Sequence, residues 1–145
     1  MQINELNLLC GITLKQMSEL FNNFGHGVPL LEKLLWKREQ NDTLRTSGLY
    51  CFRELRPCPF AVSTFLYIGR TQNLHKRFRE HRYAWLDNYV LSNRKNQYAY
   101  CYVRAEHFKG GFAKLAEIEN ACWREKEKLG LIHAEKLKRI GCYAD

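Results

Sequence analysis

The spacing of apolar residues divides the chain into helical and extended stretches. Leu14, Met17, Leu20, Phe21 and Phe24 recur with a helical period; Thr13 and Gln16 form a capping box ahead of them, and Gly25 ends the run. Pro29 suits a first helical position and predicts a second helix with Leu30, Leu31, Leu34 and Leu35 on its apolar face. Gly48 to Leu55 and Val62 to Gly69 are largely β-branched or aromatic. Between them lies Arg56-Pro57-Cys58-Pro59-Phe60, where two prolines exclude a strand interior. The pair therefore reads as an antiparallel hairpin with a long connection. Asn73 caps a helix running to about Arg82, and a short helix from Trp85 to Leu91 follows. Gln97 to Arg104 alternates cleanly, Tyr98, Tyr100 and Tyr102 on one face and Ala99, Cys101 and Val103 on the other. Gly110-Gly111 precede a long helix from Phe112 to Leu129 that Gly130 stops, and His133 to Ile140 predicts a last short one.

These elements make an α/β (α+β) chain: one domain with a three-stranded antiparallel sheet flanked by helices. Its 145 residues suffice for one core and are too few for two. Residues 1–46 form an N-terminal helical extension, 47–130 the core, and 131–145 a C-terminal helix and tail. No stretch has the length and apolarity of a signal peptide or membrane span, and the six cysteines form no C-x-x-C pair, so neither a zinc site nor a secreted disulfide scaffold is signalled. Reduced, partly buried cysteines in a cytoplasmic protein are the expectation.

Charge narrows the choice of partner. The net formal charge is +8, yet Met1 to Thr46 is neutral, with five Lys/Arg and five Asp/Glu. Between Arg70 and Arg104 eight basic residues stand against Glu80 and Asp87, a local excess of +6. Such a concentration draws a polyanion and makes binding salt-dependent. Arg70, Lys76, Arg79, Arg82, Arg94 and Lys95 are the candidate polyanion-binding residues within it.

Chemistry gathers in the same stretch. Gly48-Leu49-Tyr50 lies in the first predicted hairpin strand and Tyr67-Ile68-Gly69 in the second, and the helix Leu74-His75-Lys76-Arg77-Phe78-Arg79-Glu80-His81 follows. Gly48 and Tyr50 share a strand face, as do Tyr67 and Gly69, so hairpin pairing can set the two phenols side by side. Arg77 and His81, four apart, project from one helix face. Two phenols, a guanidinium and an imidazole can therefore share one cleft.

In this order the segments resemble the catalytic core of the GIY-YIG nucleases, with Leu49 in place of the usual isoleucine. The resemblance covers Gly48 to about Leu129, and it implies a metal-dependent DNA endonuclease. It points to Glu119, in Leu115-Ala116-Glu117-Ile118-Glu119-Asn120, as the carboxylate for a single Mg2+ or Mn2+. It implies that Tyr50 or Tyr67 orients the attacking water or takes its proton, that Arg77 pairs with the phosphate, and that His81 assists, matching a histidine of some restriction-type members. One such site cuts one strand, so a double-strand break needs a homodimer, a second binding event or a partner protein. Two features depart from the family pattern. Sixteen residues separate the two triplets, more than usual, and no asparagine lies beyond Asn120, leaving His133 as the nearest polar substitute. Two rivals remain: a non-catalytic nucleic-acid-binding module whose tyrosines stack bases, and an interaction protein on a decayed nuclease scaffold.

Overall fold

The computed structural model describes residues 13–24, 26–29, 46–55, 64–92 and 97–131. In chain order these form α1 (Leu14–Phe24), β1 (His26–Pro29), β2 (Gly48–Leu55), β3 (Thr64–Thr71), α2 (Leu74–His81), a π-helical turn (Arg82–Leu86), α3 (Asp87–Ser92), β4 (Gln97–Arg104), a 3-10 turn (Ala105–His107), α4 (Gly111–Arg124) and α5 (Lys126–Leu129). The three strands expected from the sequence form an antiparallel sheet with β2 between β3 and β4.

The sheet has a fourth member. Its order is β1-β4-β2-β3, and β1 pairs antiparallel with β4, His26 opposite Tyr102 and Pro29 opposite Ala99. Pro29 therefore ends a strand and does not begin a helix. A proline is tolerated there because β1 lies at the sheet edge, where a missing N–H need not break a ladder. The remainder of the predicted second helix, the connection Arg56 to Phe60, the helix His133 to Ile140, and Arg94, Lys95 and His133 lie outside the described residues.

Strand alternation sorts the side chains into two cores. Leu49, Cys51, Phe65, Ile68, Cys101 and Val103 face α1 and α4, which contribute Met17, Leu20, Phe21, Leu115, Ile118 and Cys122. The opposite face carries Tyr50, Phe52, Tyr67, Tyr98, Tyr100 and Tyr102, covered by Leu74, Phe78, Trp85, Leu86 and Val90 from α2 to α3. The alternation slips once: Phe52 pairs with Tyr67 but Arg53 with Phe65, so Leu66 is an extra residue in β3. The bulge turns Leu66 and Tyr67 to the aromatic face and Phe65 to the other.

The N-terminal helix belongs to this packing. Thr13 and Gln16 exchange backbone-to-side-chain hydrogen bonds of 3.0 and 3.1 Å, the reciprocal cap expected at the start of α1. Buried Arg53 donates from Nη1 to Asn22 Oδ1 at 2.8 Å and lies 5.2 Å over the Phe65 ring, tying α1 to the central strand. The long helix expected to Leu129 is interrupted at Glu125, and Gly130 closes α5 in the left-handed conformation. Cys51, Cys101 and Cys122 are free, buried thiols, and burial pushes Cys51 and Cys122 well above the ordinary thiol range. Among the described residues no helix is long and apolar enough to cross a membrane.

If α1 is part of the core, Met17→Ala should lower the free energy of unfolding by about 2–5 kcal/mol. Urea unfolding of the two proteins measures it; a loss below about 1 kcal/mol would mean that α1 does not pack where it is described.

Candidate active site

Two glycines make room for the centre. A methyl group at Gly69 would lie 2.6 Å from Tyr50 Oη, directly across the β2–β3 pair, so only glycine admits the phenol there. A methyl group at Gly48 would meet the Val103 carbonyl at 2.7 Å and Leu74 Cδ1 at 2.8 Å, so this glycine lets α2 approach β2. The helix start is fixed by Asn73, whose side chain accepts from the Lys76 N–H at 3.0 Å, and by a hydrogen bond of 3.0 Å from the Leu74 N–H to the Thr46 carbonyl.

That placement puts Arg77 and His81 over the tyrosines. Tyr50 Oη is 2.7 Å from His81 Nε2, and Arg77 Nε donates to the same oxygen at 3.4 Å. The Tyr50 and Tyr67 rings are nearly parallel with centroids 6.1 Å apart, and Tyr67 meets the His81 ring at 4.7 Å with an interplanar angle of 60°. The structure therefore brings together Tyr50, Tyr67, Arg77 and His81, four of the five residues expected to be catalytic. Arg77 and His81 are buried despite their polarity.

A residue outside the expected set decides the direction of these bonds. Trp85 Nε1 donates to His81 Nδ1 at 2.9 Å. An indole N–H has no acceptor capacity, so Nδ1 must carry its lone pair and the neutral ring holds its proton on Nε2. His81 therefore donates to the Tyr50 oxygen. Burial first, and the Arg77 charge second, lower the His81 pKa from 6.5 to about 3, so the ring is neutral at physiological pH. The π-helical turn that begins at Arg82, directly after His81, carries Trp85. Glu80 is a second unforeseen participant: its Oε2 accepts from Arg77 Nη1 at 2.7 Å. Both were within reach of helical spacing, since Trp85 is four residues beyond His81 and Glu80 three beyond Arg77.

Glu119 stands at the exposed edge of β3. Its Oε2 accepts from the Arg70 N–H at 2.9 Å, and its Oε1 lies 3.7 Å from Arg70 Nε. Trp123, one turn further along α4, donates from Nε1 to the Ile68 carbonyl at 3.1 Å and packs edge-on to Tyr67 at 5.5 Å. Two side chains of α4 thus satisfy the edge of the strand that carries Tyr67. A single carboxylate oriented by a backbone N–H suits a hard divalent ion that draws its other ligands from water and phosphate. Among the described residues no three of His, Cys, Asp and Glu gather into a protein-only metal cage.

The expected DNA-binding residues divide. Lys76 and Arg79 are exposed on α2, Arg82 pairs with Asp87 at 3.4 Å, and Arg70 is held at Glu119. Compared with known proteins, the chain matches no family model, no curated protein and no solved structure.

The neutral, buried His81 has a measurable consequence. Its folded pKa lies below its unfolded value of 6.5, so the unfolded chain binds the proton first. Its contribution to stability is complete above pH 6.5 and is lost as pH falls toward 3, by roughly 2 kcal/mol between pH 6.5 and 5. Chemical unfolding across that range should give a steeper slope for the native chain than for His81→Phe. Equal slopes would remove His81 as the cause.

Proposed function

We propose that this protein is a metal-dependent DNA endonuclease that hydrolyses phosphodiester bonds at the centre formed by Tyr50, Tyr67, Arg77 and His81. The observation that carries this reading is the convergence of two donors, His81 Nε2 and Arg77 Nε, on one phenolic oxygen. A phenol oxygen can accept both bonds, and donors fixed there are placed to stabilise negative charge as it develops during the reaction.

Hydrolysis of a phosphodiester requires an in-line water, removal of its proton, and stabilisation of charge on the phosphate and the leaving oxygen. Tyr50 orients the water or takes its proton, its oxygen held by the His81 and Arg77 donors. His81 positions and donates; with Nδ1 tied to Trp85 and Nε2 protonated, it is not the base. Arg77 supplies a permanent charge for the phosphate, and Glu80 fixes one arm of its fork. Tyr67 stacks beside Tyr50 and meets His81 edge-on, limiting motion of both. Glu119 would hold a magnesium or manganese ion, which when bound supplies charge stabilisation at the leaving oxygen. The local basic excess supports DNA as the partner.

One observation favours a non-catalytic binding protein instead. Glu119 already has a structural task in capping the β3 edge, so its presence does not by itself require a metal. Nicking of supercoiled plasmid in magnesium, compared with EDTA, separates the two readings.

Arg77→Ala should fold and lose roughly 10²–10³-fold in cleavage rate, the effect of removing one preorganised donor from developing charge. A near-native rate would place Arg77 outside the chemistry. Glu119→Gln keeps an oxygen that can accept the Arg70 N–H and removes only the charge. Cleavage should then fall to background while DNA affinity, measured by anisotropy, holds or rises. Full activity would strip Glu119 of the metal role.

A further inference from the structure

We infer that Arg70 is a built-in counter-ion that competes with a divalent cation for Glu119; this rests on reading Glu119 as the metal carboxylate. One residue addresses both carboxylate oxygens, its backbone N–H at Oε2 and its guanidinium near Oε1. The two contacts differ in kind. The backbone bond of 2.9 Å is fixed by β3 and orients the carboxylate. The guanidinium contact of 3.7 Å exceeds hydrogen-bond length, and the Arg70 side chain is 32% exposed against 13% for Glu119. Nε itself is buried and makes no hydrogen bond, so the guanidinium is held at Glu119 only by this loose ion pair. The rest of the side chain reaches solvent, and the guanidinium can leave while the carboxylate stays.

Its resting position is also supported from below. The Arg70 guanidinium carbon lies 5.1 Å from the centroid of the Phe112 ring, in the first turn of the helix that carries Glu119. Arginine does not lose its charge at any working pH. A cation approaching Glu119 therefore meets a positive group that a competing anion can draw away. A phosphodiester is such an anion, because its paired oxygens match the guanidinium fork. A phosphate that takes over Arg70 leaves Glu119 to the ion, so diester and ion bind with positive coupling. Without nucleic acid the carboxylate stays neutralised by its own chain, which disfavours loading of the ion before the substrate.

Titration with Mn2+ alone, followed by the electron paramagnetic resonance signal of the free ion, tests the competition without cleavage. Arg70→Gln retains polarity and much of the length and removes the charge, so it should bind Mn2+ about tenfold more tightly than the native chain. Arg70→Lys should stay near the native affinity, and Arg79→Ala, on the exposed face of α2, should not change it. The double variant Arg70→Gln/Glu119→Gln should lose the gain. Thermal melting of each variant, with Arg70→Ala as a second charge-removing change, confirms that folded proteins are compared. No gain in Arg70→Gln, including no detectable uptake by either protein, overturns the inference, as does a gain that survives loss of Glu119. Glu119→Gln separates the two failures. If it lowers Mn2+ affinity while Arg70→Gln gains nothing, only the role of Arg70 falls. If it binds Mn2+ as the native chain does, the metal reading of Glu119 falls with it.

Discussion

The indole N–H of Trp85 can only donate, and by occupying His81 Nδ1 it sets the direction of the bond between His81 and Tyr50. With that nitrogen committed, the imidazole proton must sit on Nε2 and must be given to Tyr50. Arg77 adds a second donor to the same oxygen, and its charge joins burial in keeping the imidazole neutral. Were Trp85 absent, either tautomer would be available, and His81 could accept from Tyr50 instead. The difference is between an orienting donor and a base, and it is made by a residue that touches neither tyrosine oxygen.

Steric room comes before this electrostatic arrangement. Tyr50 reaches Arg77 and His81 because Gly69, its cross-strand partner, has no side chain, and α2 lies close enough because Gly48 has none. The two glycines and two tyrosines therefore act together: each glycine clears the space for a neighbour's contribution, and the small residues specify the site as firmly as the polar ones. The surrounding aromatics make the arrangement stiff. Phe52 lies edge-on to His81 at 5.1 Å, and Phe78 stacks on Tyr100 at 4.1 Å, so the polar groups are held by packed rings.

Periodicity made the main elements legible. The alternation in Gln97 to Arg104, the Asn73 cap and the Thr13–Gln16 box each depend on neighbours within a few residues, and each appears where local rules place it. Pro29 shows the limit: its fixed φ suits a helix start and an edge-strand end equally, and only pairing with Ala99, seventy residues away, decides. The β3 bulge was equally hidden, because Phe65, Leu66 and Tyr67 are all apolar and alternation cannot register an extra residue. In the site, the helical pair Arg77 and His81 and the strand positions of Tyr50 and Tyr67 follow from spacing. The edge contact between Glu119 and Arg70 does not, since it joins residues forty-nine apart through a backbone N–H.

The structure also separates formal charge from available charge. The segment from Arg70 to Arg104 carries eight basic residues, of which Arg94 and Lys95 lie outside the described residues. Of the other six, Arg70, Arg77, Arg82 and Arg104 each stand within 4 Å of a carboxylate, and two of those acids, Glu119 and Glu106, come from beyond the segment. Lys76 and Arg79 remain exposed on the outer face of α2. Long-range attraction of a polyanion depends on net charge, which pairing reduces only by the acids brought in. Close phosphate contact depends on donors that can turn toward a ligand. By that measure most of the described arginines serve the protein first, and a phosphate must compete with a carboxylate already in place. Exchange of partners, more than simple neutralisation, is therefore the chemistry that a nucleic acid would meet on this surface.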